Sequence, residues 1–316
     1  MRVIIHCGLN KTGSTTIQRI FSEKFYPKAL ERVCYPYPHT DRGNAGRLLD
    51  CMRSNDDEGV NIEYKRLRQQ ADRHQVLFLS CESIYHTYVT KQGRNILNRL
   101  QNNNPQDEIE FIFFFRNLYD HARSCYAHRC GDHSMPDFKK WIQADSRAGK
   151  KGIDYYEFWS EMLLGTIAFK DRRFKKSIFS FEKHGFPVSK LGEFLGYDLT
   201  KLSRRENVSV NLAEAELLRF FRKKFGREIS MRLRENLKKL SPNRKASDRK
   251  INYKYNELVS KVIDQKMQAI EKFENELGFG ISSRPHLDDK HNNEQSLSFT
   301  MPQLVSIMRS LKHRKF

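Results

Sequence analysis

The sequence predicts an α/β fold: a P-loop-like parallel sheet flanked by helices, with a C-terminal helical extension. Three observations predict it. Short apolar runs recur at Val3–Cys7, Val76–Ser80, Ile109–Phe115 and Ser177–Phe181, and such runs read as strands buried on both faces. Segments of helical periodicity lie between them, and that alternation argues for a parallel sheet. Beyond about residue 200 the strand-like runs stop and helical periodicity takes over.

The elements follow in chain order. Val3–Cys7 is a strand ended by Gly8. Ser14 to about Lys24 predicts a helix with Ile17, Ile20 and Phe21 on one face. Residues 35–46 carry prolines, glycines and polar side chains and read as a loop. Val76–Ser80 is the second strand. Ile109–Phe115 is the third and most apolar, and a helix follows from about Tyr119 to His128. Ser177–Phe181 is the fourth strand. Asn211, Glu214 and Gly226 then frame a helix by an Asn cap, a capping-box Glu and a terminal Gly. A longer helix runs from about Asn256 to Leu277, with Val259, Ile263, Met267 and Ile270 in phase and Gly278 as its stop. Residues 1–280 read as one domain, with a helical cap at about 200–280. Residues 281–316 read as a polar tail in which Gln303–Lys312 has the pattern of a short helix.

The chain has 316 residues, of which 38% are hydrophobic and 30% charged. No apolar run approaches the ~18 residues of a membrane span. The first residues, MRVIIHCG, lack the features of a signal peptide and read as a strand that begins at once. Six cysteines, at 7, 34, 51, 81, 125 and 130, form no CxxC pair. They read as mostly reduced and buried, as in a cytoplasmic protein. A Golgi-luminal location would require an anchor outside these residues.

Lys and Arg number 57 against 38 Asp and Glu, a net charge of +19. A field this positive favours polyanions: nucleic acid, anionic glycan, an anionic lipid surface or a phosphorylated nucleotide. Residues 201–276 hold 20 of the basic and 11 of the acidic residues. That stretch has no recognised nucleic-acid module, and its aromatics fall at core spacing. It reads as helical cover and a basic rim, not as a nucleic-acid surface.

The segment Gly8-Leu9-Asn10-Lys11-Thr12-Gly13-Ser14-Thr15-Thr16 sits between the first strand and the first helix. There, backbone N–H groups of a tight loop and of a helix N-terminus converge, a geometry that binds phosphate-like anions. Gly8 and Gly13 let the backbone turn and approach a ligand. Ser14, Thr15 and Thr16 add hydroxyls, and Lys11 adds a point charge. An NTPase loop would read GxxxxGK[ST]. The Gly8-to-Gly13 frame fits, but Ser14 occupies the Lys position and the lysine stands three residues upstream. That departure argues against ATP or GTP phosphoryl transfer.

The run Gly8-x-x-Lys11-Thr12-Gly13-Ser14-Thr15-Thr16-x-Gln18 resembles the 5′-phosphosulfate loop of sulfotransferases. These enzymes use 3′-phosphoadenosine 5′-phosphosulfate (PAPS), and the likeness is greatest to bacterial members acting on sugars. The resemblance implies that Lys11 contacts the bridging oxygen and that Thr12, Gly13, Ser14, Thr15 and Thr16 wrap the 5′-phosphate. It also implies an Arg at the end of a later strand and a Ser eight residues on, both on the 3′-phosphate. Arg116 and Ser124 stand at that spacing. Arg116 would emerge at the carboxyl edge of the sheet, where open α/β sheets bind ligands, and a guanidinium suits a dianionic phosphate.

Sulfuryl transfer also needs a base for the acceptor proton. Glu82, just past the strand Val76–Ser80, is the first candidate, against a reading in which it caps the next helix or orients Lys11. His39, in the loop 35–46, is the second. His6, interior to a strand, reads as a packing residue, and Glu182 as structural. His121, Cys125, His128, Cys130 and His133 crowd one region but match no established zinc spacing, so no metal is expected. The expected acceptor is a carbohydrate or glycolipid, with peripheral membrane association as a further expectation. A nucleotide-dependent phosphotransferase and a non-enzymatic polyanion-binding protein are the alternatives.

Overall fold

The computed structural model describes residues 1–9, 11–21, 31–36, 45–130, 133, 135–143, 166–181, 187–199, 210, 212–238, 249–284, 305 and 307. Contacts gather into two units. One comprises Met1–Asn117, Ser160–Glu206 and Glu271–Ile281; the other comprises Leu118–Trp159, Asn207–Ile270 and Ser282–Phe316.

In the first unit the apolar runs pair side by side. Strands β1 (Arg2–His6), β2 (Val33–Cys34), β3 (Val76–Ser80), β4 (Glu108–Phe115) and β5 (Lys175–Ser180) form one sheet in the order β2-β3-β1-β4-β5. All its pairings are parallel. β1 is central, with His6 opposite Ser80 on one side and Ile112 on the other. A central parallel strand is covered on both faces, and Val3, Ile4 and Ile5 are accordingly fully buried.

Helices cover both faces. α1 (Ser14–Phe21) sets Phe21 against Phe78, with ring centroids 4.7 Å apart. α2 (Gly46–Arg53) and α3 (Asp57–Gln70) lead into β3. Asp56 caps α3 by accepting from the Gly59 N–H at 2.8 Å. After β3 come α4 (Ile84–Val89) and α5 (Lys91–Asn103). α4 sets Tyr88 against Phe113 at 4.9 Å, where Phe169 also packs at 4.9 Å. Successive strand residues face opposite ways. Phe78 and Ser80 therefore lie on one face with α1, and Phe111, Phe113 and Phe115 on the other. α8 (Pro187–Leu195) shares the α1 face, where Phe194 meets Phe179 at 6.2 Å.

The second unit is helical. Its elements are α6 (Leu118–Arg129), α7 (Phe138–Gln143), α9 (Leu212–Lys238) and α10 (Arg249–Gln265). Tyr126, Phe138, Trp141 and Tyr255 form its aromatic centre, with the Phe138 and Tyr255 rings 4.2 Å apart. The Glu216 carboxylate accepts from Tyr126 at 2.7 Å, Tyr255 at 2.8 Å and Arg219 at 2.7 Å. A half-buried carboxylate is tolerated when it is bonded in this way. α11 (Met267–Leu277) completes the helices, and among the described residues none is long and apolar enough to cross a membrane.

Several boundaries differ from the sequence reading. The fourth strand begins at Lys175, not Ser177. Its leading lysines can join because Lys175 pairs with Glu108 and Glu110, and Lys176 donates to the Asp171 carbonyl at 2.7 Å. At Gly226, with φ 85° and ψ −179°, the backbone leaves the helical conformation as the sequence predicts, but a second helical stretch resumes at once and runs to Lys238, so α9 is two helices joined at a kink. Buried Leu233 and Leu237 hold the second half, and Ser230 donates back to the Leu218 carbonyl at 3.0 Å. The predicted helix from Asn256 to Leu277 is two helices divided at Lys266, the first starting at Arg249. Gly278, with φ 75°, follows the second.

Candidate functional site

Connections leaving β1 and β3 diverge. β1 leads by α1 toward the β2 edge, and β3 leads by α4 and α5 across β1 to β4. Adjacent parallel strands whose connections part in this way open a crevice at their carboxyl ends. The loop 7–13 lies at that point. Past β1 the backbone stays bonded to β4: Cys7 and Leu9 donate to the Ile112 and Phe114 carbonyls at 2.9 and 3.0 Å, and Phe114 donates to Gly8 at 2.7 Å.

Gly8 fits because it has no side chain. Its φ is +97°, and a Cβ there would stand 2.7 Å from the Glu82 Cβ. Lys11 and Gly13 also hold positive φ, 68° and 88°. A lysine in the left-handed region is uncommon and concentrates at ligand sites. The Thr12 hydroxyl donates to the Leu9 carbonyl at 2.5 Å, and that of Ser14 reaches the same oxygen at 3.5 Å. These two hydroxyls brace the loop. Thr12, Ser14 and Thr16 are buried, while Lys11 and Thr15 are half-buried. α1 begins at Ser14; the Thr16 and Ile17 N–H groups donate to the Gly13 carbonyl at 3.0 and 3.1 Å, which leaves those of Ser14 and Thr15 as the ones that open the helix, and the first turn carries no acidic residue.

Three predicted residues or groups therefore come to one sheet edge: the loop ends β1, Glu82 follows β3 and Arg116 follows β4. Arg116 is steadied by Phe181, whose ring lies 5.1 Å below the guanidinium carbon. Glu82 is half-buried, and its Oε2 accepts from Gln18 Nε2 at 3.0 Å. The N-cap of α4 is Ser83, with no side-chain cap bond, so Glu82 does not cap that helix. Ser124 is half-buried in α6, in the helical unit. His39 and Glu182 lie outside the described residues.

Sequence reasoning gave no role to the polar chain behind this edge. Gln18 Nε2 also donates to Ser80 Oγ at 3.2 Å, and His6 Nδ1 shares a hydrogen bond with Ser80 Oγ at 2.8 Å. His6 packs, as expected, edge-on to Phe114 at 5.6 Å. Burial pushes its imidazole down to about 3, so it is neutral at ordinary pH. One signal for Gln18 was available: it stands four residues after Ser14, on the same helix face.

Elsewhere, Cys125 Sγ lies 3.6 Å from His121 Nε2, and His128 accepts from Arg234 at 2.9 Å. Among the described residues no group of three His, Cys, Asp or Glu could hold a metal ion. No disulfide joins the six cysteines, and Cys7, Cys34, Cys81 and Cys130 are buried. An open concavity lined by Asn98, Gln101, Asn102, Pro105, Asp107 and Arg173 sits at the opposite, amino edge of the sheet, away from these groups.

No protein-family model, curated protein or solved structure matches this chain.

Proposed function

We propose that the chain is a PAPS-dependent sulfotransferase that transfers a sulfuryl group to a hydroxyl of a carbohydrate or glycolipid. One observation carries the reading. The loop 8–16, Glu82 and Arg116 converge at the carboxyl ends of three adjacent parallel strands, β1, β3 and β4. The donor set suits a bisphosphorylated nucleotide: a lysine, a helix N-terminus and an arginine, all favouring anions.

Lys11 and the N–H groups opening α1 hold the 5′-phosphosulfate in this reading, with Gly8 and Gly13 allowing close approach. Arg116 takes the 3′-phosphate. Glu82 accepts the proton of the attacking hydroxyl. As the acceptor oxygen bonds to sulfur, the bond from sulfur to the phosphate oxygen breaks in line. Adenosine 3′,5′-bisphosphate (PAP) departs, and Lys11 balances the charge growing on its phosphate. Positioning and charge stabilisation do most of the work, as in phosphoryl transfer.

Transfer of labelled sulfate from PAPS to a panel of glycans and glycolipids tests the reading. Label on one acceptor class is expected. Phosphate transfer from ATP in place of sulfate transfer would replace it with a phosphotransferase.

A further inference from the structure

α9 carries a surface that its own packing does not use. Between Arg219 and Arg227 the sequence reads RFFRKKFGR, with five basic side chains, three phenylalanines and no acid. Phe221 faces the core, 3% exposed, whereas Phe220 is 50% exposed. Half-buried Phe225 stands against both, 5.1 Å from Phe221 and 6.3 Å from Phe220. Phe220, Lys223 and Lys224 fall at i, i+3 and i+4, which puts them on one helix face. Lys223, Lys224 and Arg227 are exposed. Arg219 is held by Glu216 at 2.7 Å, but among the described residues no carboxylate pairs with Lys223 or Lys224. Just beyond, Gly226 kinks the helix at φ 85°, so the patch stands at a corner of α9.

We propose that this corner docks on an anionic lipid surface. Charge complementarity names the sign of the partner: unpaired lysines are drawn to acidic headgroups, each contributing favourably near the surface. The phenylalanine chooses among anionic partners. The boundary between headgroups and acyl chains gives a half-exposed benzyl ring an apolar layer to enter, directly beside the charges that draw the lysines. Lysine stems lie along the apolar layer while their ammonium groups stay at the phosphates. An exposed phenylalanine set among lysines fits a membrane interface and needs no spanning helix. The proposal is independent of the sulfotransferase reading, and its test does not use activity.

The test is co-sedimentation of the full chain with phosphatidylcholine vesicles, with and without phosphatidylserine. The wild type is expected to sediment only with phosphatidylserine present, and less as salt rises. The Lys223→Gln/Lys224→Gln variant should bind about thirtyfold more weakly. Phe220→Ser should bind about tenfold more weakly. Both changes fall on exposed side chains, and unchanged circular dichroism checks the fold. Absence of wild-type binding overturns the proposal. So does wild-type-like binding by both variants. Loss in the lysine variant with none in Phe220→Ser also overturns it: the corner then attracts anions by charge alone and enters no apolar layer.

Discussion

Gln18 and Glu82 are joined by a hydrogen bond of 3.0 Å, across 64 positions of sequence. The same Gln18 amide reaches Ser80 Oγ at 3.2 Å, so one side chain of α1 ties the loop helix to the end of β3. Beneath this tie, Gly8 lies so close to Glu82 that only glycine fits. The loop and the carboxylate are therefore built as one piece, and the proposed reaction, with an anion beside a base, would draw on that fixed geometry.

A first prediction separates the base from its support. With Glu82 as the base, Glu82→Gln keeps the shape of the side chain and should keep nucleotide binding. Turnover should fall by ~10²–10⁴, the usual scale of general acid–base help. Gln18→Ala should also spare binding, but lower turnover by only ~10–10², the cost of a misplaced group. Single-turnover rates beside calorimetric binding constants check both. Normal turnover in Glu82→Gln, with a dead His39→Ala, would move the base to the 35–46 loop.

Lys11→Ala should lose ~10²–10³ in turnover, the scale for removing one charge-stabilising donor. Its thermal unfolding should change little, because the lysine is half-buried and already sits at a strained φ of 68°. Wild-type turnover in this variant would exclude the lysine from the reaction.

Gly8→Ala should be destabilising. The new methyl meets the Glu82 Cβ at 2.7 Å and Cα at 2.9 Å, at a φ of +97°. Clash and backbone strain together set the expected loss at about 2–3 kcal/mol. Gly196→Ala is the comparison, since its φ is +78° and nothing lies within 4 Å of its Cβ site. It should cost only about 1 kcal/mol of backbone strain. Denaturant unfolding of the two variants reads the difference, and equal losses would count against a tight loop-to-Glu82 contact.

His6 predicts an acid-sensitive fold. Burial holds its imidazole near 3, against 6.5 for the free side chain. The unfolded chain takes up a proton near 6.5, while the native chain stays neutral until far lower pH. The contribution is therefore full above pH 6.5. It is lost as pH falls through the window down to about 3, at about 1.4 kcal/mol per pH unit. His6→Leu removes the titrating group, and its stability should fall less steeply between pH 6.5 and 5. Parallel slopes for the two proteins would refute this assignment.

Much of the sheet was legible from local pattern. Val76–Ser80 matches β3 at both ends, and Arg116 and Glu82 were placed at strand ends from apolar runs alone. β2 escaped because it is only two residues long, Val33–Cys34. Gly226 does break the helical conformation, as a positive-φ glycine does at helix ends, but the helical stretch that resumes beyond it to Lys238 was not read. The polar chain His6–Ser80–Gln18–Glu82 was hidden for a different reason. Its hydrogen-bonded partners are 62 to 74 positions apart, and only the β1/β3 register, with His6 opposite Ser80, brings them together. Phe181 was likewise unseen as the support of Arg116, since that contact depends on β5 lying beside β4.

The central claim is tested most directly by calorimetric titration of the wild type with adenosine 3′,5′-bisphosphate, AMP and ATP. Arg116, assigned to the 3′-phosphate, should make the bisphosphate bind at least ~10-fold more tightly than AMP, a charge-assisted contact of about 1.5–3 kcal/mol. Arg116→Ala should erase that preference while leaving AMP binding in place. Equal affinity for the bisphosphate and AMP in the wild type, or tight binding of ATP alone, would contradict the account.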